Sequence, residues 1–232
     1  MKSNNIIIYE PMDVFDSISK FKKEYGRCTC AMFDPWYNKG VGDIRDDYVE
    51  FISKILKELT LIADHVYFWG FPEIVAKFID RIYDPHEYNT WLTWFYKNNP
   101  SVIKGWRSSQ MTCLHTSIPD AKMYPEHFLN EAQLAKKAEG KLRYMPGPTS
   151  VIEAPLNIGF IRKKEQTGHP AQKPLAVYKP LIEMVTKSGD IVFDPMCGSG
   201  TTGEICSILG RKAVLSDLNS DYINITKKRL GL

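Results

Sequence analysis

Short apolar runs and stretches of helical periodicity alternate along the first part of this chain. Apolar residues recur at helical spacing from Asp46 to Leu61, and a second such pattern begins at Pro72 and extends to Ile82. Proline suits the first turn of a helix because its φ is already fixed near the helical value. The apolar runs predict four strands, at Ile6–Tyr9, Arg27–Phe33, His65–Trp69 and Thr90–Tyr96.

The alternation resumes near the C-terminus. The predicted elements there are a helix at Leu175–Lys187, a strand at Ile191–Phe193, a helix ending at Leu209, a strand at Ala213–Ser216 and a helix at Asp221–Leu230. Asn219 is a plausible N-cap for the last helix, because its side chain can accept from a free backbone N–H. Strands that alternate with helices indicate an α/β domain with a mostly parallel sheet.

The residues between Ser117 and Gly168 interrupt this order. They hold one predicted helix, Glu126–Glu139, and then a stretch rich in proline and glycine, Met145-Pro146-Gly147-Pro148. We therefore expect one α/β domain whose two halves, residues 1–116 and 169–232, are separated by an insert at residues 117–168. A chain of 232 residues is long enough for one such domain with its insert.

The composition is that of an ordinary globular protein. Hydrophobic residues make up 44% and charged residues 25% of the chain, and no apolar run approaches the roughly 20 residues of a membrane-spanning helix. The first residues, Met1 to Asn5, lack the apolar stretch of a secretion signal. We expect a protein of the cytoplasm, or of the nucleus in a eukaryote, without a membrane partner.

The five cysteines are scattered along the chain and odd in number. Cys28 and Cys30 are too close together for a zinc knuckle, and no second Cys/His pair completes a tetrahedral set. The histidines show no metal-ligand spacing either. We expect reduced thiols in the core and no metal ion.

Charge is distributed unevenly, although the net charge is only +3. From Ser101 to Gly168 there are ten Lys and Arg residues against six Asp and Glu residues, so this segment carries +4. Such a segment fits a surface that contacts phosphates, and it fits a solvated linker without a partner equally well. The candidate phosphate contacts in the insert are Lys136, Lys137, Lys141 and Arg143.

An apolar strand runs into a glycine-rich turn and then a helix at residues 191–202. Glycine lets the backbone approach a ligand closely, and the unpaired N–H groups of a helix N-terminus bind a carboxylate or a phosphate. Asp217 ends the next strand, where a carboxylate is placed to accept hydrogen bonds from ribose hydroxyls. The spacing of Gly198, Gly200 and Gly203 also fits a dinucleotide, so this turn alone leaves the ligand open.

A second signal lies at the end of an N-terminal strand, in Phe33-Asp34-Pro35-Trp36-Tyr37. The amino nitrogen of a nucleic-acid base is a poor nucleophile, because its lone pair is delocalised into the ring. To accept a methyl group it needs acceptors for its two hydrogens. The Asp34 carboxylate and a backbone carbonyl fixed by Pro35 supply two such acceptors, and the ring of Tyr37 can stack on a base taken out of the helix.

Together and in this order, the two signals resemble the amino-methylating DNA methyltransferases of the beta arrangement, in which a catalytic D-P-P-Y motif precedes the glycine motif. Residues 194–202, 210–211 and 216–222 resemble the family's D-P-F-x-G-S-G-T-T, G-R and (I/V)-E-x-N-x-x-Y motifs. The further matches are Thr167–Pro174 with T-x-H-P-T-Q-K-P, Trp94–Pro100 with W-x-K-x-x-P and Ile7–Glu10 with I-x-G-D.

The resemblance implies a Rossmann-like sheet with helices on both faces, S-adenosyl-L-methionine as the cofactor and DNA as the partner. Residues 1–116 would form the catalytic half, residues 169–232 the cofactor-binding half, and residues 117–168 a small target-recognition insert. The implied catalytic residues are Asp34, Pro35 and Tyr37, with Trp36 contacting nucleic acid beside them. The implied cofactor residues are Glu10, Asp34, Lys173, Asp194, Met196, Cys197, Gly198, Ser199, Gly200, Thr201, Thr202, Asp217 and Asn219.

Two departures from the family pattern bear on the site. Trp36 stands where the family has a second proline, so the loop is less rigid and the pocket wall is bulkier. Met196 replaces a phenylalanine expected to pack on the cofactor, and its thioether can fill that space.

The sequence leaves several functions open. An aspartate at the first motif position goes with adenine by family habit, so we expect methylation of adenine N6 in DNA. The alternatives are methylation of N4-cytosine or of RNA, and a catalytically silent subunit that binds nucleic acid beside an active partner. The small insert also favours help from a second copy in a homodimer.

Overall fold

The computed structural model describes residues 5–39, 44–100, 102–103 and 105–232. Its strands are β1 (Ile6–Ile8), β2 (Cys28–Phe33), β3 (Ala63–Gly70), β4 (Glu87–Phe95), β5 (Val102–Ile103), β6 (Trp106–Arg107), β7 (Gln110–Ser117), β8 (Val151–Glu153), β9 (Ile191–Asp194) and β10 (Lys212–Leu215). Eight of these strands form one sheet in the order β1-β10-β9-β2-β3-β7-β4-β8, while β5 and β6 pair as a separate ribbon.

Helices cover both faces of this sheet. They are α1 (Val14–Tyr25), α2 (Tyr48–Ile62), α3 (Pro72–Val75), α4 (Glu131–Ala138), α5 (Leu175–Val185), α6 (Thr201–Leu209) and α7 (Ser220–Leu230). The core on one face is built from α1, α2 and α3, and the core on the other face from α5, α6 and α7. Alternate residues of β2 serve the two cores, Ala31 and Phe33 on one side and Cys30 and Met32 on the other.

The direction of the strands places a crevice at the centre of the sheet. β2 and β9 are parallel neighbours, with Cys30 opposite Val192, and the chain continues outward from them to β3 on one side and to β10 on the other. In sheets of this kind ligands bind outside the carboxyl ends of the strands where the strand order diverges. Asp34, which directly follows β2, and Asp194, which ends β9, therefore meet at one edge of the sheet.

Two predicted helices are shorter than their apolar periodicity indicated. The helix that begins at Pro72 ends at Val75 and continues only as a 3₁₀ turn at Ala76–Phe78. Ile79, which belongs to the predicted apolar face, is 42% exposed, so packing does not extend the helix further.

The predicted helix at Glu126–Glu139 is divided into two elements. A 3₁₀ turn covers Pro125–Phe128, and α4 begins only at Glu131. Asn130 starts the new helix, because its side chain accepts from the backbone N–H of Gln133 while the Gln133 side chain accepts from the N–H of Asn130.

Five of the described helices and strands have no counterpart in the sequence prediction, namely α1, β5, β6, β7 and β8. β8 lies within the predicted insert and pairs in parallel with β4 at the edge of the main sheet. The insert therefore consists of one strand of the main sheet and of a polar segment on either side of that strand.

The two parts of the insert lie at opposite edges of the sheet. β7 ends at Ser117 opposite His65, near the start of β3, so the chain enters the insert at the amino ends of the parallel strands. The N–H of Tyr124 donates to the carbonyl of Met184 near the end of α5, which keeps this part there. After β8 the chain emerges at the carboxyl edge, beside the crevice. No helix in the described part of the chain is long and apolar enough to cross a membrane.

Candidate active site

A cleft with a volume of about 1510 Å³ opens at the carboxyl edge between β9 and β2. It is formed by the segments that follow β1, β2, β3, β4, β8, β9 and β10. Sites for one small ligand usually measure about 300–1,000 Å³, so this cleft has room for more than one.

The turn after β9 brings the backbone close to its neighbours at two glycines. Gly198 has φ +49°, and a Cβ there would lie 2.9 Å from Nε2 of His169. Gly200 has φ +73°, and a Cβ there would lie 2.8 Å from the side chain of Thr226, which is fully buried on α7. Left-handed backbone and close packing thus both require glycine at these positions.

Asp194 holds this turn from the inside. Its carboxylate accepts from the Thr202 hydroxyl at 2.5 Å and from the Met196 N–H at 3.2 Å. Burial raises the pKa of Asp194 to about 7, although both hydrogen bonds act in the opposite direction. Asp194 borders the cleft, but its bonds serve the turn, and Thr202 lies behind it with no exposed surface.

Asp217 lies at the end of β10 with its carboxylate at the cleft wall. One oxygen accepts from the N–H of Gly198 at 3.0 Å and the other from the N–H of Asn219 at 2.9 Å. Burial raises the pKa of Asp217, against these backbone hydrogen bonds. Each carboxylate oxygen has a further lone pair, so Asp217 can also accept from ligand hydroxyls.

Asp34 is surrounded by hydrogen-bond donors. Its Oδ1 accepts from the Tyr37 hydroxyl at 2.9 Å, and its Oδ2 accepts from Nζ of Lys173 at 2.5 Å and from the Tyr178 hydroxyl at 3.2 Å. Lys173 Nζ also donates to the Tyr37 hydroxyl at 2.5 Å. Burial and the charge of Asp34 raise the pKa values of Tyr37 and Tyr178 well above the usual range, so both hydroxyls stay protonated and can donate.

The two remaining residues of the D-P-W-Y segment shape the wall beside Asp34. Pro35 is buried and lines the cleft. Trp36 also lines the cleft, and the other side of its ring packs edge-on against Tyr48 and tilted against Phe51. The Tyr48 hydroxyl donates to the Trp36 carbonyl at 2.6 Å, so α2 fixes the loop at the position where the family has a second proline.

Most of the predicted cofactor residues reach the same cleft. Those that line it are Asp34, Lys173, Asp194, Met196, Cys197, Gly198, Ser199, Thr201, Asp217 and Asn219. Gly200 and Thr202 are not at its surface and shape the turn from behind.

Glu10 lies outside the cleft. Its side chain is 79% exposed and pairs with Lys227 on α7 at 3.0 Å. Asp13, which caps α1 by accepting from the N–H of Phe15, lines the cleft in its place. Of the predicted cofactor residues, Glu10 is thus not among those that line the cleft.

The four predicted phosphate contacts of the insert are not brought to the site. Lys136, Lys137, Lys141 and Arg143 belong to the part of the insert at the amino edge of the sheet, and none of the described cleft residues comes from that part. Their side chains are largely exposed there, and Lys141 pairs with Glu139.

Several residues of the site were not among the predicted site residues, although His169 belongs to the matched segment Thr167–Pro174. Tyr178 and His169 line the cleft, and burial lowers the pKa of His169 to about 4, which keeps its ring neutral. Arg229 on α7 donates to the Ser199 carbonyl and to the Thr201 hydroxyl, so it fixes the glycine turn from the far side. Among the described residues there is no group of three or more His, Cys, Asp or Glu side chains that could hold a metal ion.

A family model described as DNA methylase matches residues 29–228 of this chain. The type II methyltransferase M.HpaI of Haemophilus parainfluenzae is 30% identical over 216 residues, which is 85% of this chain and 66% of that protein. The DNA adenine methyltransferase YhdJ of Escherichia coli K12 is 32% identical over 153 residues, 61% of this chain and 51% of that protein. This chain thus corresponds to between about half and two thirds of the length of these relatives.

The architecture also matches a solved structure. The crystal structure of the M1.HpyAVI–SAM complex has a TM-score of 0.73 and 22% sequence identity, and the match covers 98% of this chain and 100% of that chain. This likeness confirms the predicted Rossmann-like α/β fold with helices on both faces of the sheet.

Proposed function

Because this chain belongs to the DNA methylase family of N6-adenine and N4-cytosine methyltransferases, we propose that it transfers a methyl group from S-adenosyl-L-methionine to the exocyclic amino group of a base in DNA. The observation that carries the proposal is that the Asp34 carboxylate and the glycine turn after β9 border one cleft. The reaction needs an acceptor that orients the amine and a separate site for the methyl donor, and the cleft offers both.

The residues that follow β9 and β10 fit the cofactor. Gly198 lines the cleft and has no side chain, so its backbone can approach a ligand closely there. Asp217 offers acceptors for ribose hydroxyls, and Met196, Cys197, Ser199, Thr201 and Asn219 complete the wall. When bound, S-adenosyl-L-methionine supplies an electrophilic methyl group on a sulfonium.

Asp34 orients the target amine and stabilises the positive charge that grows on its nitrogen. The carboxylate accepts one hydrogen of the amine, and the backbone carbonyl of Pro35 accepts the other. A fixed acceptor aimed at developing charge acts strongly in a site that excludes water. Asp34 need not remove a proton before the transfer, because the methylated ammonium loses its proton readily afterwards.

Adenine N6 is the proposed acceptor. The motif begins with aspartate, and one relative with 32% identity is named as a DNA adenine methyltransferase. Tyr37 and Trp36 supply ring surfaces at the cleft for a base that has left the helix.

The DNA itself is proposed to lie across two basic segments at the carboxyl edge of the sheet. Trp106 and Arg107 of the β5–β6 ribbon line the cleft, and the Trp106 side chain is 84% exposed. Beyond Ile158, another lining residue, the exposed Lys163 and Lys164 follow in the segment after β8. Lysine and arginine at such a rim can neutralise backbone phosphates beside the extruded base.

The setting of the reaction is proposed on the same basis. We propose that the protein acts on DNA in the cytoplasm, in the manner of a restriction–modification methyltransferase. Because the insert is small, a second copy is proposed to share the DNA contacts. Light scattering with and without a DNA duplex would show whether a homodimer forms.

The decisive experiment is methyl transfer from labelled cofactor to genomic DNA, followed by identification of the modified nucleoside by mass spectrometry. We expect N6-methyladenine from the wild-type protein. Asp34→Ala removes the oriented acceptor and should lower kcat by about 10²–10³-fold. Its affinity for the cofactor product, measured by calorimetry, should stay close to that of the wild type because the glycine turn and Asp217 are intact.

Each other outcome has a distinct meaning. N4-methylcytosine in the digest would keep the mechanism and change the base. DNA binding without any transfer by the wild-type protein would favour the catalytically silent subunit. Full activity of Asp34→Ala would remove the site assignment.

A further inference from the structure

The β5–β6 ribbon carries an aromatic residue whose position the packing of the domain does not explain. The Trp106 side chain is 84% exposed, although tryptophan is highly buried on average. Single exposed apolar side chains are common on protein surfaces, but this one borders a ligand cleft. Phe160 and Tyr144 are exposed aromatic residues too, and neither of them lines the cleft. The position of Trp106, and not its exposure alone, therefore indicates a role at the site.

The ribbon holds Trp106 away from the body of the domain. Its two strands pair Val102 with Arg107 and Ile103 with Trp106, and Gly105 lies in the turn between them with φ +83°. A Cβ at Gly105 would meet no other atom within 4 Å, and the Val102 side chain is 60% exposed. The tip of the ribbon therefore projects into open space at the mouth of the cleft.

The base of the ribbon, in contrast to its tip, is fixed to the domain. The N–H of the buried Tyr96 donates to the Ser109 carbonyl at 2.8 Å, and the Asn99 side chain donates to the Ser108 carbonyl at 2.9 Å. These bonds hold the chain directly after β6, close to Trp106. An aromatic side chain on a fixed support loses little conformational freedom when it binds, which favours its insertion into a partner.

The proposed reaction leaves a gap in the DNA that such a side chain can fill. A base taken out of the helix no longer stacks on its neighbours, and this lost stacking opposes the extruded state. The extruded base itself has the rings of Tyr37 and Trp36 beside Asp34, whereas Trp106 stands at the rim among the basic residues proposed to contact DNA. Apolar side chains inserted between base steps are a common device of proteins that distort a duplex.

We propose that Trp106 is a wedge that enters the duplex at the position vacated by the target base and stacks on the bases on either side of the gap. The inference rests on the proposed function and deepens it, because it says what the ribbon does to the DNA. Arg107, the next residue and also a lining residue of the cleft, can neutralise a phosphate beside the gap. The wedge stabilises the extruded state from outside the base pocket, so it acts on the DNA and not on the methyl transfer itself.

Binding to a duplex with one base missing tests the wedge without any turnover. The test uses a duplex that the wild type does not methylate, prepared once intact and once with a single base-free position at its centre. Intact DNA of this kind is bound through its phosphates, whereas the base-free position offers a gap to the wedge. We expect the wild type to bind the base-free duplex about 5–100-fold more tightly, the range typical of one aromatic side chain that stacks on bases. Fluorescence anisotropy would measure both affinities.

Three variants assign this preference to one side chain. Trp106→Ala should bind the two duplexes with affinities that agree within about twofold, whereas Trp106→Phe keeps an aromatic face and should keep most of the preference. Phe160→Ala is the matched control, because Phe160 is 94% exposed but does not line the cleft, and it should behave like the wild type. No preference in the wild type, or an unchanged preference in Trp106→Ala, would overturn the inference whether or not the protein methylates DNA. If Trp106→Ala kept the preference and lost self-association, the ribbon would be a contact between two copies instead.

Turnover on two forms of the methylated site gives a second readout. At saturating DNA, Trp106→Ala should lower kcat on a normally paired target base, by up to about 100-fold, because fewer complexes hold the base extruded. A mispaired target base is extruded at less cost, so on that duplex the loss of kcat should shrink to less than about threefold. Equal losses on both duplexes would overturn the inference, because a contact that does not assist extrusion is indifferent to pairing. Absence of transfer by the wild type would remove the proposed function, and the base-free duplex would then decide on the wedge alone.

Discussion

The hydroxyl of Tyr37 does more in this structure than the sequence motif reveals. From the motif alone, only the face of the ring is needed to stack on a base. In the structure the hydroxyl also donates to Asp34 and accepts from Lys173, so it is part of the network that fixes the Asp34 carboxylate.

Tyr37→Phe should therefore lower kcat by about tenfold, because hydrogen bonds to charged groups contribute roughly 1.5–3 kcal/mol. Tyr37→Ala should in addition weaken capture of the base, by on the order of 1–3 kcal/mol of lost stacking. Steady-state kinetics with a fixed duplex would separate the two effects into kcat and KM. Equal kcat values for Tyr37→Phe and the wild type would show that only the ring face is used.

Gly200 is required by both its backbone and its neighbour. Alanine there must adopt a left-handed φ of +73° and place its Cβ 2.8 Å from the buried Thr226. We expect Gly200→Ala to lower the free energy of unfolding by about 2–5 kcal/mol, the sum of backbone strain and overpacking. Gly189→Ala is the matched control, because Gly189 has φ +89° with open space around it and should show the strain of about 1–2 kcal/mol alone.

Urea denaturation of the three proteins would measure these differences. Similar losses for Gly200→Ala and Gly189→Ala would mean that Thr226 moves aside at little cost.

Whether a residue of the site could be predicted from the sequence depends on how far away in the chain its contact partners lie. Asp34 and Asp217 could be predicted because each sits in a short motif at a strand end, and both reach the cleft. Tyr178 could not, since its contact with Asp34 spans 144 positions and follows from the packing of α5 on the sheet. Arg229 was missed for the same reason, because its bonds to the glycine turn depend on how α7 packs behind it.

At the scale of elements, hydrophobic patterning located most helices and buried strands of the domain. It failed for β8, which is three residues long and follows a proline-rich stretch, so its partner β4 rather than its own pattern defines it. It also failed for α1, whose mostly polar sequence carries only three buried apolar residues, Val14, Ile18 and Phe21. Short or mostly polar elements depend on tertiary contacts that no local pattern displays.

The position of β8 leads to a prediction about DNA contacts. The segment before it, with α4, lies at the amino edge of the sheet, whereas the segment after it lies beside the cleft. We expect Lys163→Glu/Lys164→Glu to weaken DNA binding strongly. The plot of log association constant against log salt concentration should become less steep, by the equivalent of about two phosphate contacts.

Lys136→Glu/Lys137→Glu carries the same change of charge at the opposite edge and is the matched control. It should weaken binding only slightly through net charge. Fluorescence anisotropy over a range of salt concentrations would give both slopes. If the slope decreased more in Lys136→Glu/Lys137→Glu, the DNA contacts would lie in the part of the insert that the sequence alone indicated.

At the scale of the whole molecule, the cleft beside Asp34 lies at one edge of the sheet and a cluster of three buried histidines at the other. Nδ1 of His65 and Nε2 of His115 are 3.1 Å apart, across the β3–β7 pair. Nε2 of His65 donates to the Lys122 carbonyl, so its Nδ1 must accept from His115. Nε2 of His86 donates to the Ala63 carbonyl, and its Nδ1 accepts from the Thr116 hydroxyl. These bonds are compatible with a neutral form of each ring, which burial favours in the folded protein.

Burial lowers the pKa of all three histidines, and that of His65 to about 4. A histidine whose folded pKa lies below its unfolded value of about 6.5 stabilises the fold above pH 6.5, and this stability is lost as the pH falls towards 4. Asp194 acts in the opposite direction, because its raised pKa lets the folded protein hold a proton that the unfolded chain releases. The pH dependence of the wild-type unfolding free energy therefore combines both effects. The contribution of a histidine can be isolated by comparing the wild type with a variant that lacks it.

His65→Gln provides that difference. Glutamine can still donate to the Lys122 carbonyl and accept from His115, but it does not titrate. We expect the variant to be less stable than the wild type at pH 7, because a flexible glutamine loses more rotamer freedom on burial than a histidine ring. Between pH 7 and pH 5 the wild type should lose about 2 kcal/mol more of its unfolding free energy than the variant, which is the cost of one proton that the folded His65 does not take up. Asp194 is common to both proteins, so its contribution cancels. Urea denaturation at pH 7, 6 and 5 would give the two curves, and parallel curves would show that His65 binds its proton equally well in the folded and unfolded states.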